Sequence, residues 1–296
     1  MALVIGGNAT VATGMSPIVE AGLYADAIFI DGVTFTSQHN IGSAGQIQVE
    51  KYAGGRGAKP GTPGANFTDR DYTNTVVDIN VNNSFRDSVK VPAYFEATMP
   101  TPVLMNKTLE VTKRVGTGRQ ESALAALVSQ GTISPDSEAL TKDNIKSKII
   151  AMRSELRKKH AKPNVVIASV DTYALMLETA GKDFTPMYND DVIRQGKVGL
   201  WLGMLWVEAD LLDGSTEDYQ YINDAGATIT VDTSDVDFIM YDFMAFSVID
   251  RLDALRIKES EQFVGSKVQE EVCSGFKITN EDCLFVKKTA VSNGRP

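Results

Sequence analysis

Two histidines and two cysteines in 296 residues leave this chain short of the groups on which most catalytic and metal sites are built. His39 and His160 stand apart, neither has the neighbours of a catalytic triad, and no G-x-S-x-G elbow is present. His160 falls at the end of a predicted helix, where a partner for the helix dipole is the simpler reading than a base. Cys273 and Cys283 are too far apart for C-x-x-C and too few for a disulfide framework, so a reducing, cytosolic origin is expected. H-E-x-x-H and EF-hand patterns are missing as well. Asp190-Asp191 and the acidic stretch from Asp210 to Asp237 are read as solvated acidic surface rather than a cation site. No catalytic set, metal site or cofactor is expected, which favours a structural role.

Long hydrophobic runs are also absent. Val198 to Val207 is the longest, about half a membrane span. The opening MALVIGGNATVATG lacks the basic region and apolar core of a signal peptide, so a soluble intracellular product with no membrane partner is expected. Positive charge is scarce: Lys+Arg 29 against Asp+Glu 38 gives a net charge of -9. That balance argues against phosphate neutralisation as the main task, and the one basic run, Arg153 to Lys159, suits a helix C-terminus. Hydrophobic residues at 43% and charged residues at 23% are ordinary for a globular protein, and the length suffices for one large domain or two moderate ones. No period of repeat-protein length recurs.

Glycine is concentrated where a nucleotide loop would be looked for. VEKYAGGRGAKPGTPGANFTDRDY, residues 49–72, places five glycines and two prolines between Gly54 and Gly64. A phosphate loop needs G-x-x-x-x-G-K-[ST] ahead of a helix, but Pro60 follows Lys59. The dinucleotide pattern fails too, because Gly55-Arg56-Gly57 meets Pro60 where the third glycine belongs. The stretch reads as a solvated loop tip.

Its flanks explain it. AGQIQVEKYA alternates through Ile47 and Val49, and TNTVVDINVNNSF alternates through Val77, Ile79 and Val81, which predicts a long β-hairpin carrying that tip. A two-stranded hairpin is marginal in water and needs another surface. Upstream, residues 1–35 read as an arm with one short helix starting near Ser16-Pro17. Downstream, Thr101-Pro102 opens a long helix that bends at Gly116 and Gly118 and closes at Gly131. In TKDNIKSKIIAMRSELRKKH, Ile145, Ile149, Met152 and Leu156 predict an amphipathic helix that Pro163 stops. NVVIAS reads as a buried strand and VDTYALMLETAG as a helix ending at Gly181, an α/β alternation. GKVGLWLGMLWVEAD reads as one apolar strand with Trp201 and Trp206 on opposite faces, where core packing competes with a contact role. The last third is strand-rich, with a short helical piece from Tyr241 to Ile249.

This order of elements resembles the major capsid protein of tailed phages, the Hong Kong 97 (HK97-like) fold. GKVGLWLGMLWVEADLL is similar to the family's glycine-punctuated axial-domain strand, carried here by Gly199, Gly203 and Val207. VDFIMYDFMAFSVIDRL and FVGSKVQEEVCSGFKITNEDCLFVKK resemble the strands that follow and close the fold. The resemblance implies an α+β fold with an N-arm at 1–35, an extended loop at 36–84, and a peripheral domain with a spine helix at 85–140. An axial domain at 141–238 and returning strands at 239–296 complete it. It implies pentamers and hexamers of the chain itself in an icosahedral shell around double-stranded DNA, located in the virion and assembled in the host cytoplasm. Implied partners are a scaffolding protein, a portal protein, a decoration protein and the packaged DNA, which is held without sequence-specific binding. No charged scaffolding helix precedes the arm, which implies a separate scaffold or removal before maturation. Tyr52, Gly54, Gly55, Arg56, Gly57, Lys59 and Phe67, with Trp201 and Trp206, are the implied intersubunit contacts. Lys51 and Lys59 fall where some members crosslink, although a lysine in such a tip is ordinarily just solvated. Two other readings stand beside it: a nanocompartment (encapsulin-like) shell around an enzyme cargo, and a soluble α/β enzyme or binding protein.

Overall fold

Strands that alternate, strands that are apolar throughout, and one helix with a single apolar stripe define three environments in this chain. The computed structural model describes residues 28–29, 33–36, 46–52, 74–98, 103–181, 185–186, 198–212, 218–259 and 262–289. They divide into a larger compact unit (26–83, 119–251, 273–296) and a smaller one (1–25, 84–118, 252–272).

In chain order the strands begin with β1 (Phe35–Thr36), β2 (Gln46–Tyr52), β3 (Asn74–Asn80) and β4 (Asn83–Pro92). Helices α1 (Ala93–Thr98) and α2 (Val103–Gln130) follow. Next come β5 (Thr132–Ile133), α3 (Ile145–Lys158), β6 (Val165–Ser169), α4 (Val170–Ala180) and β7 (Thr185–Pro186). The remaining strands are β8 (Val198–Trp201), β9 (Met204–Ala209), β10 (Tyr219–Ile222), β11 (Thr228–Val231) and β12 (Val236–Tyr241). The chain closes with β13 (Phe246–Glu259), β14 (Gly265–Ile278) and β15 (Leu284–Lys288).

The larger unit is built on a seven-stranded mixed sheet, order β5-β15-β12-β6-β9-β8-β7. Strand period two sorts its side chains. Val166, Ala168, Met204, Trp206, Phe238, Met240 and Phe285 share one core with Ile145, Ile149, Met152 and Leu156 of α3 and Tyr173 and Met176 of α4. Their neighbours Val165, Ile167, Val207, Ile239, Tyr241, Leu284 and Val286 point the other way and are equally buried. On that second face Gly131, which ends α2, lies so close to Leu284 and Val286 that an added Cβ would stand 2.5 and 2.6 Å from them. A sheet covered on both faces explains why VVIAS and FIMY have no polar alternation. The stripe expected of α3 is the one that is buried. Its end is a left-handed turn at His160 (φ 67), where Ala161 N–H reaches Leu156 O and His160 N–H reaches Arg157 O. Ser169 caps α4 by accepting from Thr172 N–H.

The apolar stretch from 196 to 210 is a hairpin and not the single strand expected. β8 and β9 pair antiparallel through the two-residue turn Leu202-Gly203, both residues at positive φ (53 and 71). The hairpin puts Trp201 beside Met204 and Trp206 opposite Gly199, so the two indoles share a face instead of opposing each other. Their rings lie 5.4 Å apart, and Trp206 Nε1–H donates to Trp201 O at 3.3 Å.

The smaller unit has a slight core. Val91, Val111 and Val268 are buried, with Val89 and Leu104 packed against them. It contains the first half of α2, β4, α1 and the outer halves of β13 and β14, from a sheet of order β1-β13-β14-β4. Gly265 (φ 147) is required here, since a Cβ would sit 2.3 Å from Val91 O. Three expectations are corrected. α2 is hydrogen-bonded without interruption through Gly116 and Gly118. The strand expected to run on past Asn80 stops there, and β4 starts afresh at Asn83. The helical piece near 241–249 is one 3-10 turn, Phe243–Ala245, because β13 already begins at Phe246. Among the described residues no helix is long and apolar enough to cross a membrane.

Candidate assembly surfaces

The β2–β3 hairpin expected from alternation is present, in register from Gln46↔Asn80 to Tyr52↔Asn74. Its root is fixed. Ile79 is fully buried, Asn80 Nδ2 donates to Asp224 Oδ1 at 3.4 Å, and Gly275 permits a close approach to Asn80 O (2.6 Å from an added Cβ). Farther out, Gln48, Val76 and Asp78 are exposed, and no third strand joins the pair among the described residues. Such a ribbon has two open edges and little area to bury by itself. Gly54, Gly55, Arg56, Gly57, Lys59 and Phe67 lie outside the described residues; Tyr52 ends β2 opposite Asn74. Trp201 and Trp206 are core residues of the larger unit, so the core reading is the one realised for them.

A second surface was not legible in the sequence. In the smaller unit Val264 (85%), Tyr94 (65%) and Met105 (61%) are largely exposed, with Leu109, Leu255 and Ile257 about half exposed. Met105 and Leu109 are one helical turn apart on α2, while Leu255 and Ile257 share a face of β13. Six large apolar side chains outside, against five buried valines inside (Val91, Val111, Val115, Val268 and Val272), leave apolar surface for association to cover. The helical spacing of Leu104, Val111 and Val115 places them on the inward side of α2, but nothing local marks the outward one.

Charge chemistry is structural. Lys148 Nζ bridges the carboxylates of Asp136 (2.7 Å) and Glu138, which holds both acids below their ordinary range and the lysine above its own. Beside this bridge Lys287 is fully buried and donates to the carbonyls of Asp136 (2.8 Å), Glu138 (2.7 Å) and Lys288 (3.4 Å). Burial pulls its ammonium down, and the nearby carboxylates of Asp136, Asp237 and Glu138 oppose that pull. Tyr241, also fully buried, is pushed well up by desolvation and donates its hydroxyl to Val33 O at 2.8 Å. These groups pin loops to the sheet. Among the described residues no cluster of three or more His, Cys, Asp or Glu is placed to hold a metal ion, and both cysteines are free thiols.

No protein-family model matches the sequence, and no curated protein matches it. Solved structures do match over nearly the whole chain. The capsid structure of cyanophage P-SCSP1u superposes with a TM-score of 0.69 at 13% identity, covering 95% of this chain and 93% of that one. A structure from Mycobacterium phage Che8 gives 0.68 at 15% identity, covering 94% and 96%. The asymmetric unit of the bacteriophage PhiM1 mature capsid gives 0.58 at 13% identity, covering 99% and 96%. The fold is therefore that of phage capsid subunits. Within that class it is the HK97-like α+β fold of the tailed-phage major capsid proteins, as the sequence resemblance implied.

Proposed function

We propose that this chain is a major capsid protein that assembles into pentamers and hexamers of an icosahedral shell enclosing double-stranded DNA. The observation that carries the reading is a capsid-subunit fold, end to end, that bears a β-ribbon rooted in the larger unit with no third strand among the described residues. In this reading residues 1–35 are the N-arm and residues 36–84 the extended loop, with Gly54–Gly64 lying over an adjacent subunit. Residues 85–140 serve as the peripheral domain with its spine helix, 141–238 as the axial domain and 239–296 as the returning strands. The exposed apolar side chains Tyr94, Met105, Leu109 and Val264 are then covered by neighbouring copies. Head-to-tail contacts that close into rings, repeated over a shell, turn modest interfaces into a durable particle. The net charge of -9 suits a wall that does not adhere to its packaged DNA.

A scaffolding protein, a portal and a decoration protein are the expected partners, assembly takes place in the host cytoplasm, and the shell has no enzymatic role. The neighbours named above are phage structures, which supports a viral shell over an enzyme-filled nanocompartment. The test replaces residues 53–73 by Asn-Gly, a two-residue turn that suits the Tyr52↔Asn74 end of the ribbon. The shortened chain should fold with the thermal stability of the unassembled full chain yet sediment as small species where the full chain forms shells. Shells of normal size from the shortened chain would remove the loop from the assembly contacts.

A further inference from the structure

Charge is unevenly placed along this acidic chain. Residues 142–162, which are α3 and its flanks, carry eight of the 29 Lys and Arg but two of the 38 Asp and Glu. The rest of the chain therefore holds 21 against 36, a net charge of -15. Opposite in sign, residues 210–237 carry eight Asp and Glu and no Lys, Arg or His. Both segments belong to the larger unit.

The cations of the basic segment fall into two sets. Lys148 holds Asp136 and Glu138, Lys142 reaches Glu178 at 3.4 Å, and Lys159 reaches Asp282 at 3.2 Å. Lys146, Arg153, Arg157, Lys158 and Lys162 form no ion pair among the described residues, and all but Arg153 are exposed. Lys146, Ile150, Arg153 and Arg157 recur at i, i+4, i+7 and i+11, one stripe along α3 on which Ile150 is 48% exposed. The helix dipole accounts for Arg157 and Lys158 in the last turn, but it disfavours Lys146 in the first. Arg153 and Arg157 are like charges one turn apart, which weakens a lone helix. The stripe thus does nothing for the fold of the single chain.

Its complement lies at one end of a hairpin. β10 and β11 form a sheet of their own, and the Tyr219↔Val231 pairing brings Asp218 and Asp232 to the same end. Both are exposed and neither forms an ion pair among the described residues, whereas Asp224 is paired with Lys277 and Asp235 with Lys288. We propose that the Lys146–Arg157 stripe of α3 docks on the Asp218–Asp232 end of the β10–β11 hairpin of a second copy. Two different patches of one chain make a head-to-tail contact, the kind that closes into rings. Ile150 in the middle of the stripe favours a protein surface over nucleic acid, whose phosphates offer it no apolar contact. The proposal rests on the shell reading for its partner and names one contact of that assembly.

Charge exchange in the full chain, followed by sedimentation velocity over a concentration series, is the test. Lys146→Glu with Arg157→Glu should weaken self-association about tenfold or more, and Asp218→Lys with Asp232→Lys should do the same. Mixing the two variants, or placing all four replacements in one chain, should restore it. Asp218→Lys alone serves if the Asp232 variant, which loses its bond to Ser234 N–H, does not fold. Raising NaCl from about 50 to about 500 mM should weaken association of the unaltered chain. Undiminished association in both variants, or a loss that neither the mixture nor the four-replacement chain restores, would overturn the proposal. Loss of binding to a fluorescent DNA duplex in the Lys146→Glu, Arg157→Glu variant, with self-association intact, would assign the stripe to nucleic acid and overturn it too. Electron microscopy of the same samples separates the two claims. Shells that form equally from every variant would reject only the docking; charge-dependent association that stops at small oligomers would reject only the shell. An unaltered chain that stays monomeric throughout would reject both.

Discussion

Trp206 is fully buried across from Gly199, with its ring against Trp201 and its Nε1–H on the Trp201 carbonyl. Trp206→Ala removes the largest side chain of that core and should cost about 3–5 kcal/mol, measured by urea unfolding. A loss under about 1 kcal/mol would mean that the site collapses to fill the gap. Gly203 has room for a Cβ, whose nearest neighbour would be Arg153 Nη2 at 3.7 Å, but its φ of 71 disfavours one. Gly203→Ala should therefore cost about 1 kcal/mol, from backbone strain alone. The Lys148 bridge makes a pH prediction. Asp136 and Glu138 are held below their ordinary values of 3.8 and 4.5, so their stabilisation is present above those values and is lost as pH falls below them. Lys148, held above 10.5, contributes fully below that pH and loses its contribution as pH rises past it. Lys148→Met should accordingly raise the midpoint of acid unfolding and lower that of alkaline unfolding, followed by circular dichroism. Unmoved midpoints would show that water screens the bridge completely.

Elements with a regular period were legible in the amino-acid pattern. The stripe Ile145, Ile149, Met152, Leu156 marked α3, Gly181 closed α4, and alternation through Ile47, Val49, Val77 and Ile79 marked the hairpin. What escaped has physical reasons. The β8–β9 turn carries Leu202 at positive φ, so an apolar residue conceals the turn and the run reads as one strand. β4 escaped because its sequence is largely polar, and its identity depends on neighbours far along the chain. The pairing of Arg119 with Asp250 is further from local pattern still: the two are 131 positions apart, and nothing near either residue announces the other. The glycines of α2 were legible as a weak point, yet the helix passes through them unbroken.

At the scale of the whole molecule, two partial surfaces share one requirement. A ribbon with two open edges and a smaller unit with five buried valines and six exposed apolar side chains both leave surface open among the described residues of the single chain. The fold supplies the context, since three phage structures share it across more than nine-tenths of their length despite identities of 13–15%. A chain with this arrangement gains stability by association, so its melting temperature should rise with concentration as assembly proceeds. Negative-stain electron microscopy of the purified protein, with light scattering on the same sample, tests the central claim most directly. Closed shells, or rings of five and six, are the predicted result. A uniform particle at monomer or dimer mass that persists at high concentration and with a crowding agent would contradict it.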